Sequence, residues 1–352
     1  MQAADRLRVA VVGLGWPGQR HLEAYRKQPG VEIVAVCDAN PVLLAQTQQE
    51  QQIERGFADL DSLLALEGLD AVSICTPNFL HEPMVKAVLA AGKHVLCEKP
   101  LAATLEQGER IAAAARANDR VCMMGFARRY REDSRLVKKL VEAGELGQIY
   151  YARAGWLRRR WNPTVRGWFL SKERSGGGPL IDLGVHTLDL ALWFMGHPKV
   201  VAVNGTVSHH FASRIGGGTP IDVEDMASAY VRLENGAAIA LETSWYAYHG
   251  HADHVFCHVF GTTGGARIEV GAPTPVPPVE VYLDRGDVPL VANPTVATPE
   301  TSQVQFDYEI AEFVAAVREQ RAPASTIEQG LEILRILDAI YRSAEAGAEV
   351  RL

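Results

Sequence analysis

The sequence predicts an α/β protein in two parts: an N-terminal doubly wound parallel sheet and a C-terminal α+β domain with a large, mostly antiparallel, open sheet. Three observations predict it. Short unbroken apolar runs, Val9-Ala10-Val11-Val12 first among them, alternate with helical segments as far as residue 124, the pattern of parallel strands buried on both faces. After Gly125 strands follow one another directly, joined by hairpin signals such as Glu234-Asn235-Gly236, which makes the pairing antiparallel. The 352 residues suffice for two domains of ordinary size, divided here into residues 1–127 and 128–352.

In chain order, the first apolar run leads into Gly13, Gly15 and Gly18, and a helix follows. Residues 31–37 form a second strand with Asp38 at its carboxyl end. Asn40 caps a helix over 41–52, with Pro41 at its first position. A short strand at 57–59 and a helical turn at 60–66 precede a buried strand at 71–75. That strand ends in Thr76-Pro77-Asn78, ahead of a helix over 81–91. Residues 94–97 are a strand ending in Glu98-Lys99-Pro100, residues 105–118 an amphipathic helix and residues 121–124 a further strand. Short connections between alternating elements give the doubly wound arrangement. The second part begins with a helix at 134–143, a strand at 149–156 and a basic, aromatic stretch at 157–169. Gly176-Gly177-Gly178-Pro179 introduces a helix ending near Gly196, and strands are expected at 199–208, 224–234, 237–245, 254–261 and 266–270. Residues 271–298 carry six prolines and read as loop with one short strand. Helices at 306–319 and 326–346 close the chain.

Composition excludes several function classes. Hydrophobic residues are 47% and charged residues 22%, a globular profile, and the net charge of −7 opposes nucleic-acid and anionic-membrane binding. No apolar run reaches the ~18 residues of a membrane span. The opening residues lack the charged and apolar regions of a signal peptide, so a cytoplasmic location is expected. The five cysteines show no zinc spacing; they read as reduced, buried thiols, and no metal site is expected.

The chemistry concentrates at strand ends. Glycines at the spacing of Gly13, Gly15 and Gly18 allow a tight turn, close approach of a pyrophosphate and tight helix–strand packing, with the next helix presenting its N-terminus to the phosphates. Asp38, about twenty residues beyond Gly18, suits the two ribose hydroxyls of an adenosine and repels a 2′-phosphate, so NAD is favoured over NADP. It is equally the type of residue that closes a turn. Asn78 can bond a ribose hydroxyl or simply start the helix, and His81 can cap that helix or touch the nicotinamide side. Lys99 follows apolar Val95-Leu96-Cys97, so it is either a partly desolvated ammonium that holds a substrate oxygen or an ordinary surface lysine. Asp182, His186 and Asp189 recur at helical spacing among apolar residues. Burying such groups is costly unless they are paired, which leaves a satisfied core pair or a general acid/base oriented by its aspartate.

Together these residues resemble the Gfo/Idh/MocA family, named for glucose–fructose oxidoreductase and inositol 2-dehydrogenase. The resemblance rests on V-x-G-x-G-x-x-G-x-x-H from Val11 to His21, CTPN at 75–78 with His81, EKP at 98–100, GGGPLIDLGVHTLD at 176–189 and the closing EILRILDAIYRSAEAG. It implies a Rossmann domain followed by a substrate-binding and oligomerisation domain, and NAD(P)-dependent oxidation of a ring hydroxyl, or the reverse, on a sugar or cyclitol. It places catalytic roles on Lys99, Asp182 and His186. It places cofactor contacts on Gly13, Leu14, Gly15, Trp16, Pro17, Gly18, Asp38, Thr76, Pro77, Asn78, His81, Glu98, Lys99 and Arg128. Residues 125–130 and 162–164 are similar to segments of inositol dehydrogenases, whereas residues 166–175 and the triple glycine are more like other sugar-oxidising branches.

The expected reaction is hydride transfer with His186 as acid/base and Lys99 on the reacting oxygen. Asn162 and Trp168 stand first among the groups that can face a sugar, beside Lys99, Asp182 and His186, since aromatics stack on C–H faces and amides read hydroxyls. Two other readings are an NAD-dependent glycosidase acting by redox-elimination and a non-catalytic dinucleotide- and sugar-binding regulator. Self-association as a homodimer or homotetramer through the open sheet face is expected, because that face needs cover.

Overall fold

The computed structural model describes residues 6–160, 167–211, 214, 220–271, 277–296 and 302–352. Strands β1 (Leu7–Val12), β2 (Val31–Cys37), β3 (Gly56–Phe57), β4 (Ala71–Ile74), β5 (His94–Glu98) and β6 (Cys122–Gly125) form one parallel sheet in the order β3-β2-β1-β4-β5-β6. The order reverses between β1 and β4, and in doubly wound sheets ligands bind beyond the carboxyl ends of the strands at this reversal. Val9, Ala10 and Val11 are fully buried, which explains the unbroken apolar run.

The second sheet has nine strands: β7 (Ile149–Arg158), β8 (Val200–Ser208), β9 (Met226–Leu233), β10 (Ala238–Ser244), β11 (Asp253–Gly261), β12 (Gly264–Val270), β13 (Val279–Arg285), β14 (Val288–Ala292) and β15 (Val350–Arg351). Their order is β14-β13-β12-β11-β7-β10-β9-β8-β15. Only β7 and β10 pair in parallel. Helix Val185–Phe194 lies on one face, burying Val185, Leu188, Ala191 and Leu192. Each buried valine or leucine side chain contributes about 1.5–3 kcal/mol relative to exposure.

Two expectations are corrected here. Residues 271–298 contain two strands, β13 and β14, rather than one. Gly286 and Asp287, both at positive φ, turn between them, and Pro289 is tolerated because β14 is an edge strand. The expected single helix after the triple glycine is a π-helical turn, Leu180–Gly184, followed by the α-helix Val185–Phe194. Strand β15 was not anticipated, since two residues are too few to show a period.

The chain folds into two compact units, Met1–Tyr130 with Glu300–Glu332, and Arg131–Pro299 with Ile333–Leu352. The sequence suggests one boundary, whereas the chain passes between the units after Tyr130, after Pro299 and after Glu332. The reason lies in helix Val304–Glu319, whose Phe306, Ile310, Phe313 and Val314 join the same apolar cluster as Val9, Val11, Leu22 and Met123. Ser325 adds a hydroxyl donated to the Met124 carbonyl at 2.7 Å. Among the described residues, no helix is long and apolar enough to cross a membrane.

Candidate active site

In the first unit the three glycines do three different things. Gly13 has φ +86°, and a Cβ there would lie 2.6 Å from the Cys75 carbonyl oxygen; a Cβ on Gly18 would lie 2.0 Å from the Gly13 carbonyl oxygen. Both glycines are demanded by the protein's own packing. Gly15 is not: its φ is −64°, and an added Cβ would meet no protein atom within 4 Å. The space above Gly15 is therefore a place that glycine keeps open. It adjoins the N-terminus of helix Trp16–Arg26, which no side chain caps and which has Pro17 in its first turn. Unsatisfied N–H groups at a helix start beside open space fit a pyrophosphate. Trp16 is exposed at this end, edge-on to Phe306. Asp38 braces the loop: Oδ2 accepts the Leu14 N–H at 2.8 Å and Oδ1 the Asn40 N–H at 2.8 Å. Each oxygen has a second lone pair, so the carboxylate retains capacity for ribose hydroxyls.

The turns after β4 and β5 are tied together from beneath. His81 is fully buried, with Nδ1 2.8 Å from the Pro100 carbonyl and Nε2 2.9 Å from the Thr76 carbonyl. Burial holds its pKa below the ordinary value against the pull of these carbonyls, so a neutral ring donates to one of them at a time. His81 thus links the Thr76-Pro77-Asn78 turn to the Glu98-Lys99-Pro100 turn, whose Lys99–Pro100 bond is cis. Asn78 is buried and Thr76 half-buried at the same edge. Glu98 points inward, accepting from His21 Nε2 at 3.1 Å and from the Lys99 N–H at 3.1 Å. Lys99 and Arg128 are both half-buried. The neighbouring Arg129 is buried and donates to the Ala324 carbonyl and to Gln329 Oε1, a structural role.

In the second unit the π-helical turn carries Asp182, and His186 stands on the first turn of the following helix. Both are half-buried, whereas Asp189 is fully buried. Asp182 Oδ2 accepts the Trp245 indole N–H at 3.0 Å and lies 3.8 Å from Arg158 Nη1. Arg158 also reaches Asp253, which accepts the Trp156 indole N–H, and the Trp156 ring lies 5.8 Å from that of His186. Behind the turn, Phe169 stacks on Trp245 and Trp168 packs edge-on to Phe169. Trp245 and Phe169 belong to an apolar cluster with Leu170, Leu183, Val223 and Tyr246. Asn162 lies outside the described residues.

Sequence reading missed the group that pins the π turn. Glu224 is buried and accepts the Gly178 N–H at 2.9 Å, the Leu180 N–H at 3.0 Å and the Tyr341 hydroxyl at 2.9 Å. Burial raises its pKa although all three donors favour the carboxylate. The triple glycine follows from this brace. A Cβ on Gly178 would lie 2.1 Å from the Glu224 carbonyl oxygen, a Cβ on Gly177 would lie 1.9 Å from the Tyr341 hydroxyl, and Gly176 has φ +89°. No local pattern marks Glu224, since its partners are distant in sequence. The five cysteines are free and buried, and burial pushes Cys37 and Cys122 up to about 12.

Residues 7–126 match the model of an oxidoreductase family with an NAD-binding Rossmann fold, and residues 138–352 match the C-terminal alpha/beta domain of that family. The D-glucoside 3-dehydrogenase of Escherichia coli (strain K12) is 31% identical over 360 residues, covering 98% of this chain and 97% of that protein. The scyllo-inositol 2-dehydrogenase (NAD(+)) of Bacillus subtilis (strain 168) is 31% identical over 268 residues, 75% of this chain and 74% of that protein. Among solved structures, levoglucosan dehydrogenase in complex with NADH and L-sorbose superposes with a TM-score of 0.89 at 27% identity, covering 99% of both chains.

Proposed function

The chain belongs to the Gfo/Idh/MocA oxidoreductase family, with its NAD-binding Rossmann domain, and on that premise we propose that it is an NAD-dependent dehydrogenase of a sugar or cyclitol. NAD, when bound, supplies the acceptor for hydride leaving a secondary alcohol carbon. Gly15 and the uncapped helix start take its pyrophosphate, and Asp38 takes its adenosine ribose. His186 accepts the hydroxyl proton as the carbon becomes a carbonyl, a contribution of ~10²–10⁴ in rate. Lys99 holds the same oxygen and damps the negative charge that develops on it. Asp182 orients the imidazole. Trp168 and Asn162 are assigned to the sugar. The exposed sheet face that bears Tyr230, Phe260 and Tyr282 is assigned to self-association.

The observation that supports this reading most is the bracing of Asp182 by Trp245 and Arg158 on a π turn that leads directly into the helix carrying His186. Fixing a half-buried carboxylate so firmly serves proton transfer better than packing. The test is a spectrophotometric screen for NADH formation across glucosides, anhydrosugars, sugar acids and inositols, with NADP run in parallel. NADH formed from at least one of these, with NAD preferred, is the expected result. Sugar release without net NADH would replace the reading with redox-elimination, and binding of NAD and sugar with no turnover would replace it with a regulator.

A further inference from the structure

Behind the Lys99 turn three titratable side chains meet in the core of the first unit. They are His21 from helix Trp16–Arg26, Glu98 from β5 and Glu309 from helix Val304–Glu319. Among the described residues this is the one group of three His, Cys, Asp or Glu side chains whose donor atoms all lie within 4.8 Å of one another. His21 and Glu309 are fully buried and Glu98 is 7% exposed. His21 Nε2 is 3.1 Å from Glu98 Oε1 and 4.0 Å from Glu309 Oε2. Among the described residues no donor reaches either oxygen of Glu309, and none meets His21 Nδ1.

An ionised Glu309 would be a second carboxylate in a buried site with no hydrogen bond from the described residues to either oxygen, among the costliest arrangements a core can hold. His21 cannot offset two carboxylates, because a second N–H, on Nδ1, would itself be an orphaned buried donor. The other groups near enough to feel the charge of Glu309 are Tyr25, Cys75 and Tyr130, all buried, and burial pushes each of them toward its neutral form. A proton on Glu309 removes the conflict. A divalent cation would also do so, but it would have to part the 3.1 Å contact between His21 and Glu98, which already has hydrogen-bond length.

We propose that Glu309 is a positioning residue held as the neutral carboxylic acid beside the His21–Glu98 pair, and that the trio fixes the turn that carries Lys99. Glu98 transmits the effect, since its other oxygen accepts the Lys99 N–H. This rests on the role given to Lys99 above and assigns that turn a buried support. Burial and the Glu98 charge both raise the pKa of Glu309 well above the usual carboxylate value. With the folded pKa above the unfolded one, its contribution to stability is complete at acid pH and is lost as pH rises beyond the ordinary carboxylate range.

The test uses the full chain and its Glu309→Gln and Glu309→Ala variants. Infrared spectra at neutral pH are expected to show the C=O stretch of a protonated carboxylic acid in the unmodified protein, absent from Glu309→Gln. Glu309→Ala is expected to lose about tenfold in kcat with a smaller change in KM for NAD, and Glu309→Gln, which keeps a neutral hydrogen-bonding group, to recover most of that loss. The loss of stability with rising pH is expected to be shallower in Glu309→Gln. Absence of the acid band, a stoichiometric divalent metal in elemental analysis, or a Glu309→Gln variant as impaired as Glu309→Ala would each overturn the proposal. If Glu309→Ala does not fold, the infrared band and the pH slope of Glu309→Gln still decide. The band is read without substrate, so an acid band together with a fully active Lys99→Ala would sink the dehydrogenase mechanism and leave the protonation of Glu309 standing.

Discussion

The cofactor end of the first unit and the Asp182 region of the second are held by different means. In the first, backbone does most of the holding. Gly13 and Gly18 close the loop by direct contact of main chain with main chain, Asp38 grips two main-chain N–H groups, and His81 lies between two carbonyls. In the second, side chains from distant segments converge: Trp245 and Arg158 on Asp182, Glu224 and Tyr341 behind the π turn. A loop that binds the invariant phosphates of a dinucleotide can be built from a short motif. The turn proposed for proton transfer is held by a brace assembled from distant parts of the second unit.

Three substitution sets sharpen or break this contrast, from the largest expected effect to the smallest. Lys99→Ala and His186→Ala are each expected to lower the rate of NADH formation by ~10²–10⁴ while NAD titration stays close to that of the unmodified protein. Full turnover by either would break the assignment. The glycines come next. Gly13→Ala forces a left-handed alanine into the Cys75 carbonyl and is expected to lower the melting temperature and abolish NAD binding. Gly15→Ala is expected to leave the melting temperature unchanged and to weaken NAD by about tenfold or more, one charged hydrogen bond's worth. Equal destabilisation by both would mean that Gly15 is also a packing glycine. The smallest effect is expected from Trp245→Phe, which keeps the ring stacked on Phe169 and removes only the N–H to Asp182. A loss of about tenfold in kcat/KM with KM for NAD unchanged is anticipated from steady-state kinetics. No loss would mean that Arg158 alone suffices.

The same contrast explains what the sequence made legible. The parallel sheet could be read almost strand by strand, because strands buried on both faces leave unbroken apolar runs such as 9–12 and 95–97, and the strand ends coincide with Asp38, Asn78 and Lys99. The Asp182/His186 spacing was visible as a pattern. Its π winding was not, because that depends on Glu224 holding Gly178 and Leu180 from 46 and 44 residues away. Strands β13 and β14 were obscured by prolines, whose meaning reverses at a sheet edge where no second ladder is needed. Glu309 looked like one more acidic residue of an amphipathic helix; only the fold shows that it faces the core. Residues whose role is set by neighbours in the chain can be read early, and residues whose role is set by the sheet they close upon cannot.

The brace on the π turn bears on how such a protein changes its substrate. Glu224 spends its bonds on two main-chain N–H groups and one tyrosine hydroxyl, and none of these faces is a side chain chosen for a sugar. The main chain of the turn proposed for proton transfer is therefore held independently of the side chains proposed to meet the sugar. Under the proposed function, recognition can be rewritten, by evolution or by a protein engineer, one pocket residue at a time, without unpinning the main chain that carries Asp182.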